Sequence, residues 1–280
     1  MKIDYLKIKE LAEKLKETTS GNLSKLVKIK SLSCHEQEVQ IELKKQMEVA
    51  GADEVVVDGL GNVIGRLGKG SRILAIDGHI DTVDTGNLSN WSFDPFSGEI
   101  KNGFVYGRGT VDQKGGIASM VTTLEILKEL GIPDDLTVYF IGSVIEEDSD
   151  GLCWKYIVEE GNIKPDAVII TEPTNLNIYR GQRGRMEIQI SFNGISAHGS
   201  APERGKNAIY LASKAALEIE KLNERLPSDD FLGKGTITIS EIKSSSPSLC
   251  AVADYAQLHV DRRLTVAKQR IQLLLNWLMH

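Results

Sequence analysis

The sequence predicts an α/β layered domain followed by a small α+β domain, on three observations. Strand-length apolar runs alternate with helical periodicity as far as Ile170, which is the pattern of a largely parallel sheet covered by helices. From about Gly181 the texture changes to strands in which apolar and polar residues alternate, around one long helix. With 280 residues, 41% of them hydrophobic, the chain can bury a sizeable core and is long enough for two domains.

Residues 4–30 carry Leu and Ile at helical spacing with Lys and Glu between, and are expected to form one or two surface helices broken at Ser20-Gly21. Ser33 and Glu36 stand in capping-box spacing ahead of Val39, Ile41, Leu43 and Met47, so a helix should follow and end at Gly51. Cys34 and His35 fall in its first turn, where adjacent side chains point apart, which argues against a catalytic pair. Residues 54–58 and 62–67 read as strands about the turn Gly59-Leu60-Gly61, whose glycine spacing does not match a dinucleotide fingerprint.

Residues 72–77 form an apolar, β-branched strand that stops at Gly78, His79 and Asp81. The stretch 91–106 is rich in turn residues and aromatics and leads into a glycine-rich loop, residues 107–116. There Asp112 stands where a phosphate-binding loop needs a glycine, so the glycines are read as letting the backbone crowd around Asp112. Residues 117–130 have helical periodicity and stop at Gly131-Ile132-Pro133. Residues 136–144 read as a buried strand delivering Glu146 and Glu147, 151–160 as a helix, and 167–170 as another buried strand ending in Thr171-Glu172-Pro173.

The second region offers a half-exposed strand at 185–192, a long helix at 207–225, strands at 236–243 and 256–263, and a final helix at 268–278. This order describes a small sheet with helices on one face, and the domains are drawn at 1–181 and 182–280.

A formal net charge of −6 argues against a nucleic-acid or anionic-membrane surface and leaves a small molecule as the expected partner. The first twenty residues lack the apolar core of a signal peptide, and no apolar run reaches membrane-spanning length. Cys34, Cys153 and Cys250 are odd in number and far apart, which suits a reducing compartment and a cytoplasmic location.

His79, Glu146, Glu147 and Glu172 all lie just past the carboxyl ends of predicted strands, the edge where open α/β sheets bind ligands. Side chains two apart on a strand share a face, so Asp81 can orient the His79 ring while its other nitrogen takes a metal. Adjacent Glu146 and Glu147 suit a hydrolytic metal site, which needs one carboxylate as ligand and another free to take a proton. No Gly-x-Ser-x-Gly elbow is present.

Five motifs in order are Gly78-His79-Ile80-Asp81, Gly107-Arg108-Gly109-Thr110-Val111-Asp112, Glu146-Glu147, Thr171-Glu172-Pro173 and Ser196-Ala197-His198. Together they resemble the dizinc aminoacylase and carboxypeptidase family, which includes acetylornithine deacetylase, succinyl-diaminopimelate desuccinylase and the tri- and dipeptidases. The resemblance spans residues 30–266 and is nearest the branch of selenium-metabolism hydrolases. It implies a zinc-peptidase-like α/β catalytic domain and a small α+β, ferredoxin-like lid and dimerisation domain. It also implies two zinc ions per subunit, with cobalt or manganese able to substitute: His79 and Glu172 on one, Asp112 bridging, and Glu147 on the second. Glu146 would be the general base, passing a proton from water to the leaving amine, and Asp81 the partner of His79. His198 would reach into the partner subunit of a homodimer to stabilise the oxyanion, and Arg263 would grip the carboxylate of an N-acyl amino acid or peptide-like substrate. A cis peptide at Asp112-Gln113 is implied too.

The chain departs from this pattern twice. Cys250 stands where the branch has an asparagine ahead of Ala251-Val252-Ala253-Asp254. Family members also continue past the lid and supply a further histidine to the second metal, whereas this sequence stops at His280. The expected function is therefore metal-dependent amide hydrolysis. The alternative is a truncated, catalytically impaired metal-binding dimer without turnover.

Overall fold

The computed structural model describes residues 4–265, which divide after Asn177 into two compact units. In the first unit, α1 (Tyr5–Lys14) is capped by Asp4, whose carboxylate accepts the Leu6 and Lys7 N–H groups, and α2 (Lys16–Val27) follows directly. The break falls at Leu15, and Ser20-Gly21 lies inside α2, contrary to expectation. The Thr19 and Ser20 hydroxyls bond back to the Leu15 and Lys16 carbonyls, so they do not interrupt the helix. Gly in a helix costs about 1 kcal/mol relative to Ala. Here that cost is offset by burial of Leu26 and Val27 at the same helix's end.

α3 (Gln37–Val49) buries Val39, Leu43 and Met47, while Ile41 faces solvent at 71% exposure. The predicted capping box does not form: α3 starts with no side-chain cap, because Ser33 and Glu36 are engaged elsewhere.

Strands β1 (Glu54–Val57), β2 (Val63–Gly68) and β3 (Arg72–His79) come next, then the small hairpin β4 (Glu99–Lys101) and β5 (Phe104–Tyr106). α4 (Lys114–Leu130), β6 (Leu136–Ser143), α5 (Leu152–Glu159) and β7 (Ala167–Ile170) complete the unit. The main sheet has the order β1-β2-β6-β3-β7, with β3 parallel to β6 and β7, and β2 antiparallel to β1 and β6. Successive side chains of β6 enter opposite layers, as the pleat requires. Val138 and Phe140 join Leu43, Met47, Ile117 and Leu124 from α3 and α4, whereas Ile141 packs with Ile157 of α5. β3, β6 and β7 run the same way, so they end on one edge of the sheet.

β7 is not the buried strand the sequence suggests: Val168, Ile169 and Ile170 are 42%, 52% and 57% exposed. Its position explains this, since it is the edge strand and pairs only with β3 among the described residues.

The second unit contains β8 (Gly184–Asn193), α6 (Ala208–Arg225), the short β9 (Ser228–Asp229) and β10 (Gly233–Lys234), β11 (Thr236–Ser245) and β12 (Tyr255–Leu264). Its sheet has the order β11-β12-β8, antiparallel throughout. α6, capped by the Asn207 side chain, lays Ala208, Ala212 and Ile219 against Ile237, Ala256, Leu258 and Val260. The fold is thus a mixed α/β unit with a small α+β unit, as expected. The helix anticipated at 268–278 falls outside the described residues. No helix among them is long and apolar enough to cross a membrane.

Candidate metal centre

His79 is the last residue of β3 and is 1% exposed. Its Nδ1 lies 2.9 Å from the Asp81 carbonyl oxygen and 3.4 Å from Asp81 Oδ1. A proton on Nδ1 donated there leaves Nε2 facing outward. The nearer partner is the Asp81 main chain, where the sequence reading expects its carboxylate. Around Nε2 stand three carboxylates: Asp112 Oδ1 at 2.9 Å, Glu172 Oε1 at 3.8 Å and Glu146 Oε2 at 3.9 Å.

One ligand atom each from His79, Asp112 and Glu172 lie within 4.8 Å of one another. Donors at about 2.0–2.2 Å from a tetrahedral ion are about 3.3–3.6 Å apart, and an imidazole with two carboxylates is a donor set zinc accepts. The residues therefore fit a divalent ion. Glu147 is not one of those three.

The charges respond to this crowding. Burial opposes protonation of His79, but hydrogen bonds with Asp112 and Asp81 outweigh it and raise its pKa to about 11. Glu146 is raised to about 7, by burial first and then by Glu172 and its other acidic neighbours, against the pull of His79. Burial is also the first cause of the upward shifts of Glu147 and Glu172. For Asp81 burial is overcome by His79 and Ser33, and its pKa is lowered.

Local structure places each group. The Asp112-Gln113 peptide is cis, as the resemblance implies. Lys114, 1% exposed at the start of α4, donates to the Leu26 and Ile29 carbonyls at 3.0 and 2.8 Å and so ties the Asp112 loop to the end of α2. Burial pushes its ammonium down to about 8. Gln113 donates through its amide to Glu172 Oε1 and accepts from the Thr171 hydroxyl at 2.7 Å. Spacing alone gives Gln113 and Thr171 no role of their own and puts Ser33 and Glu36 at a helix start, whereas their side chains bond to Asp81 Oδ2 and the Ile145 N–H.

The second unit carries the other two candidates. His198 is exposed, with Nδ1 2.7 Å from the Ser200 hydroxyl. Its segment pairs with the Cys250 motif: Gly199 N–H donates to the Cys250 carbonyl and Val252 N–H to the Ala197 carbonyl. Arg263 Nε donates to Asp261 Oδ1 at 2.9 Å.

The model of peptidase family M20/M25/M40 matches residues 75–266, from the middle of β3 to just beyond β12. The chain belongs to this family. Proteins similar to it include the uncharacterized protein YgeY of Escherichia coli strain K12, 50% identical over 263 residues, which cover 94% of this chain and 65% of that one. A probable succinyl-diaminopimelate desuccinylase of Staphylococcus aureus strain Mu50 is 39% identical over 150 residues, covering 53% of this chain and 37% of that one. Among solved structures, an M20 family metallo-carboxypeptidase from Sulfolobus solfataricus superposes with a TM-score of 0.68 at 19% identity, covering 91% of this chain and 73% of that one. An aminopeptidase PepT from Bacillus cereus gives 0.55 at 26% identity, covering 90% and 68%. This M20 chain thus spans less than two thirds of the length of these curated relatives, 65% in the first case and 37% in the second.

Proposed function

We propose that the protein is a zinc-dependent hydrolase that releases an amine from a small, carboxylate-bearing N-acyl amino acid or peptide. The observation that carries this is the convergence of Asp112, Glu172 and Glu146 on the outward nitrogen of a buried, pre-oriented histidine. Relatives named as a desuccinylase, a carboxypeptidase and an aminopeptidase support amide cleavage.

In this reading His79, Asp112 and Glu172 would hold one ion, and Glu147 together with Asp112 would hold a second. Zinc held there would supply Lewis-acid polarisation of the scissile carbonyl and would acidify the attacking water. Asp81 keeps the His79 ring oriented. Glu146 accepts the proton that water loses as its oxygen attacks the carbonyl carbon, then returns it to the nitrogen as the C–N bond breaks. The first unit serves as the catalytic domain and the second as the lid and dimerisation domain. His198 of a partner subunit donates to the oxyanion, and Arg263 takes the substrate carboxylate. The free cysteines suit a cytoplasmic setting.

The test combines metal analysis with a screen of N-acyl amino acids. At least one zinc ion per chain is expected, held by His79, Asp112 and Glu172. Glu146→Gln should cut turnover by about 10²–10⁴ with zinc content unchanged. Wild-type turnover in that variant, or no bound metal in the wild type, would overturn the reading.

A further inference from the structure

We infer that Glu36, Asn62 and Asp81 form a bracket that sets the positions of Glu146 and Glu147, with Ser33 holding Asp81 in place. The inference rests on the reading of those two glutamates as base and ligand. It concerns positioning residues, none of which need touch substrate.

β6 ends at Ser143, and each of the next four peptide N–H groups is accepted by a side-chain oxygen. Val144 N–H donates to Asn62 Oδ1 at 3.1 Å and Ile145 N–H to Glu36 Oε1 at 3.1 Å. Glu146 N–H donates to Asp81 Oδ1 and Glu147 N–H to Asp81 Oδ2, both at 3.2 Å. Within this run Ile145 has φ of +60°, a left-handed conformation that a β-branched residue resists and that persists only where its surroundings enforce it.

The acceptors come from three separate segments, and most are themselves held. Asn62 donates through its amide to Asp58 Oδ2 at 2.7 Å, and Ser33 donates to Asp81 Oδ2 at 2.7 Å. Segment 31–33 is stitched beside 80–82, since Ser31 donates to the Ile80 carbonyl at 2.8 Å and accepts the Thr82 N–H at 2.8 Å. Glu36, Asn62 and Asp81 are 3%, 0% and 0% exposed, so water cannot readily replace a deleted acceptor. Carboxylates accept more strongly than carbonyls, which suits a strained turn. Glu36 does not serve its own helix, because α3 has no side-chain cap.

The experiment uses the full chain with and without zinc. Hydrogen exchange is followed over peptides 144–149, 136–143 and α3, and zinc affinities by competition with a chromophoric chelator. Glu36→Ala should speed exchange at 144–149 about tenfold or more and weaken the second zinc by a similar factor, leaving the first zinc and the other peptides within about twofold. Glu36→Gln keeps an acceptor oxygen in place and should stay within about threefold on both readouts. If Glu36→Ala does not fold, Ser33→Ala, which removes one hydroxyl, should speed exchange at 144–149 about threefold. Unchanged exchange there, exchange raised equally across the first unit, or a Gln variant as impaired as the Ala variant would overturn the bracket. A wild type that binds no second zinc refutes the assignment of Glu147 as ligand, and the exchange readout then decides the bracket on its own.

Discussion

Gly78 shows how closely the chain packs behind the candidate ligands. A Cβ there would stand 2.6 Å from Gln113 Oε1, 2.7 Å from Thr171 Oγ1 and 2.9 Å from Ile117 Cδ1, and one at Gly116 would stand 2.5 Å from Thr171 Oγ1. These two glycines leave room for the chain of hydrogen bonds from Thr171 through Gln113 to Glu172. Gly78→Ala should therefore destabilise the protein by about 1–3 kcal/mol, the usual range for overpacking, measured by urea unfolding. An unchanged midpoint would mean that the Gln113–Thr171 pair can move aside without loss. Nothing in the sequence distinguishes Gly78 from a turn glycine, because the atoms it must avoid belong to residues 113, 117 and 171.

At the scale of the element, α4 is anchored at both ends. Its first residue, Lys114, ties the Asp112 loop to α2, and Lys128 near its end donates to Asp53 Oδ1 at 2.7 Å, just before β1. Asp53 also accepts the Gly68 N–H at 2.8 Å. The Lys128 hydrogen bond, followed by that of Gly68, holds the Asp53 carboxyl below its usual range. A carboxyl depressed in the folded state stabilises fully above its unfolded value of about 3.9 and loses that contribution as pH falls through the folded value. The pair is part exposed, so Asp53→Asn should cost less than about 1 kcal/mol at pH 7. The gap between variant and wild type in urea midpoints should then shrink below about pH 4, and a gap that widened with acid would contradict the assignment.

For the whole molecule, the decisive linkage is metal to folding. His79 at the end of β3, Asp112 before α4 and Glu172 after β7 are separated in sequence, so an ion binding all three favours the folded chain. At a free concentration a hundred times its dissociation constant it adds about 2.7 kcal/mol, or roughly 5–10 °C in Tm for a chain of this size. Zinc should raise Tm by that order, a chelator should reverse the rise, and Asp112→Asn should lose most of it. A melting curve indifferent to both zinc and chelator would count against the metal centre.

Periodicity and motif order were determined by the sequence alone: the α/β layering, the change of texture near the second unit, and the placement of His79, Glu146 and Glu172 at strand ends. These depend on residues within one or two turns of each other, so they survive without knowledge of neighbours in space. Tertiary structure decided what the same local patterns are used for. Ser33 and Glu36 have capping-box spacing, yet their side chains hold Asp81 and the Ile145 peptide. The run Ala167–Ile170 has the composition of a buried strand, yet it lies at a sheet edge. In each case the outcome depends on contacts between distant segments, because a side chain bonds to whichever unsatisfied buried group the fold brings beside it.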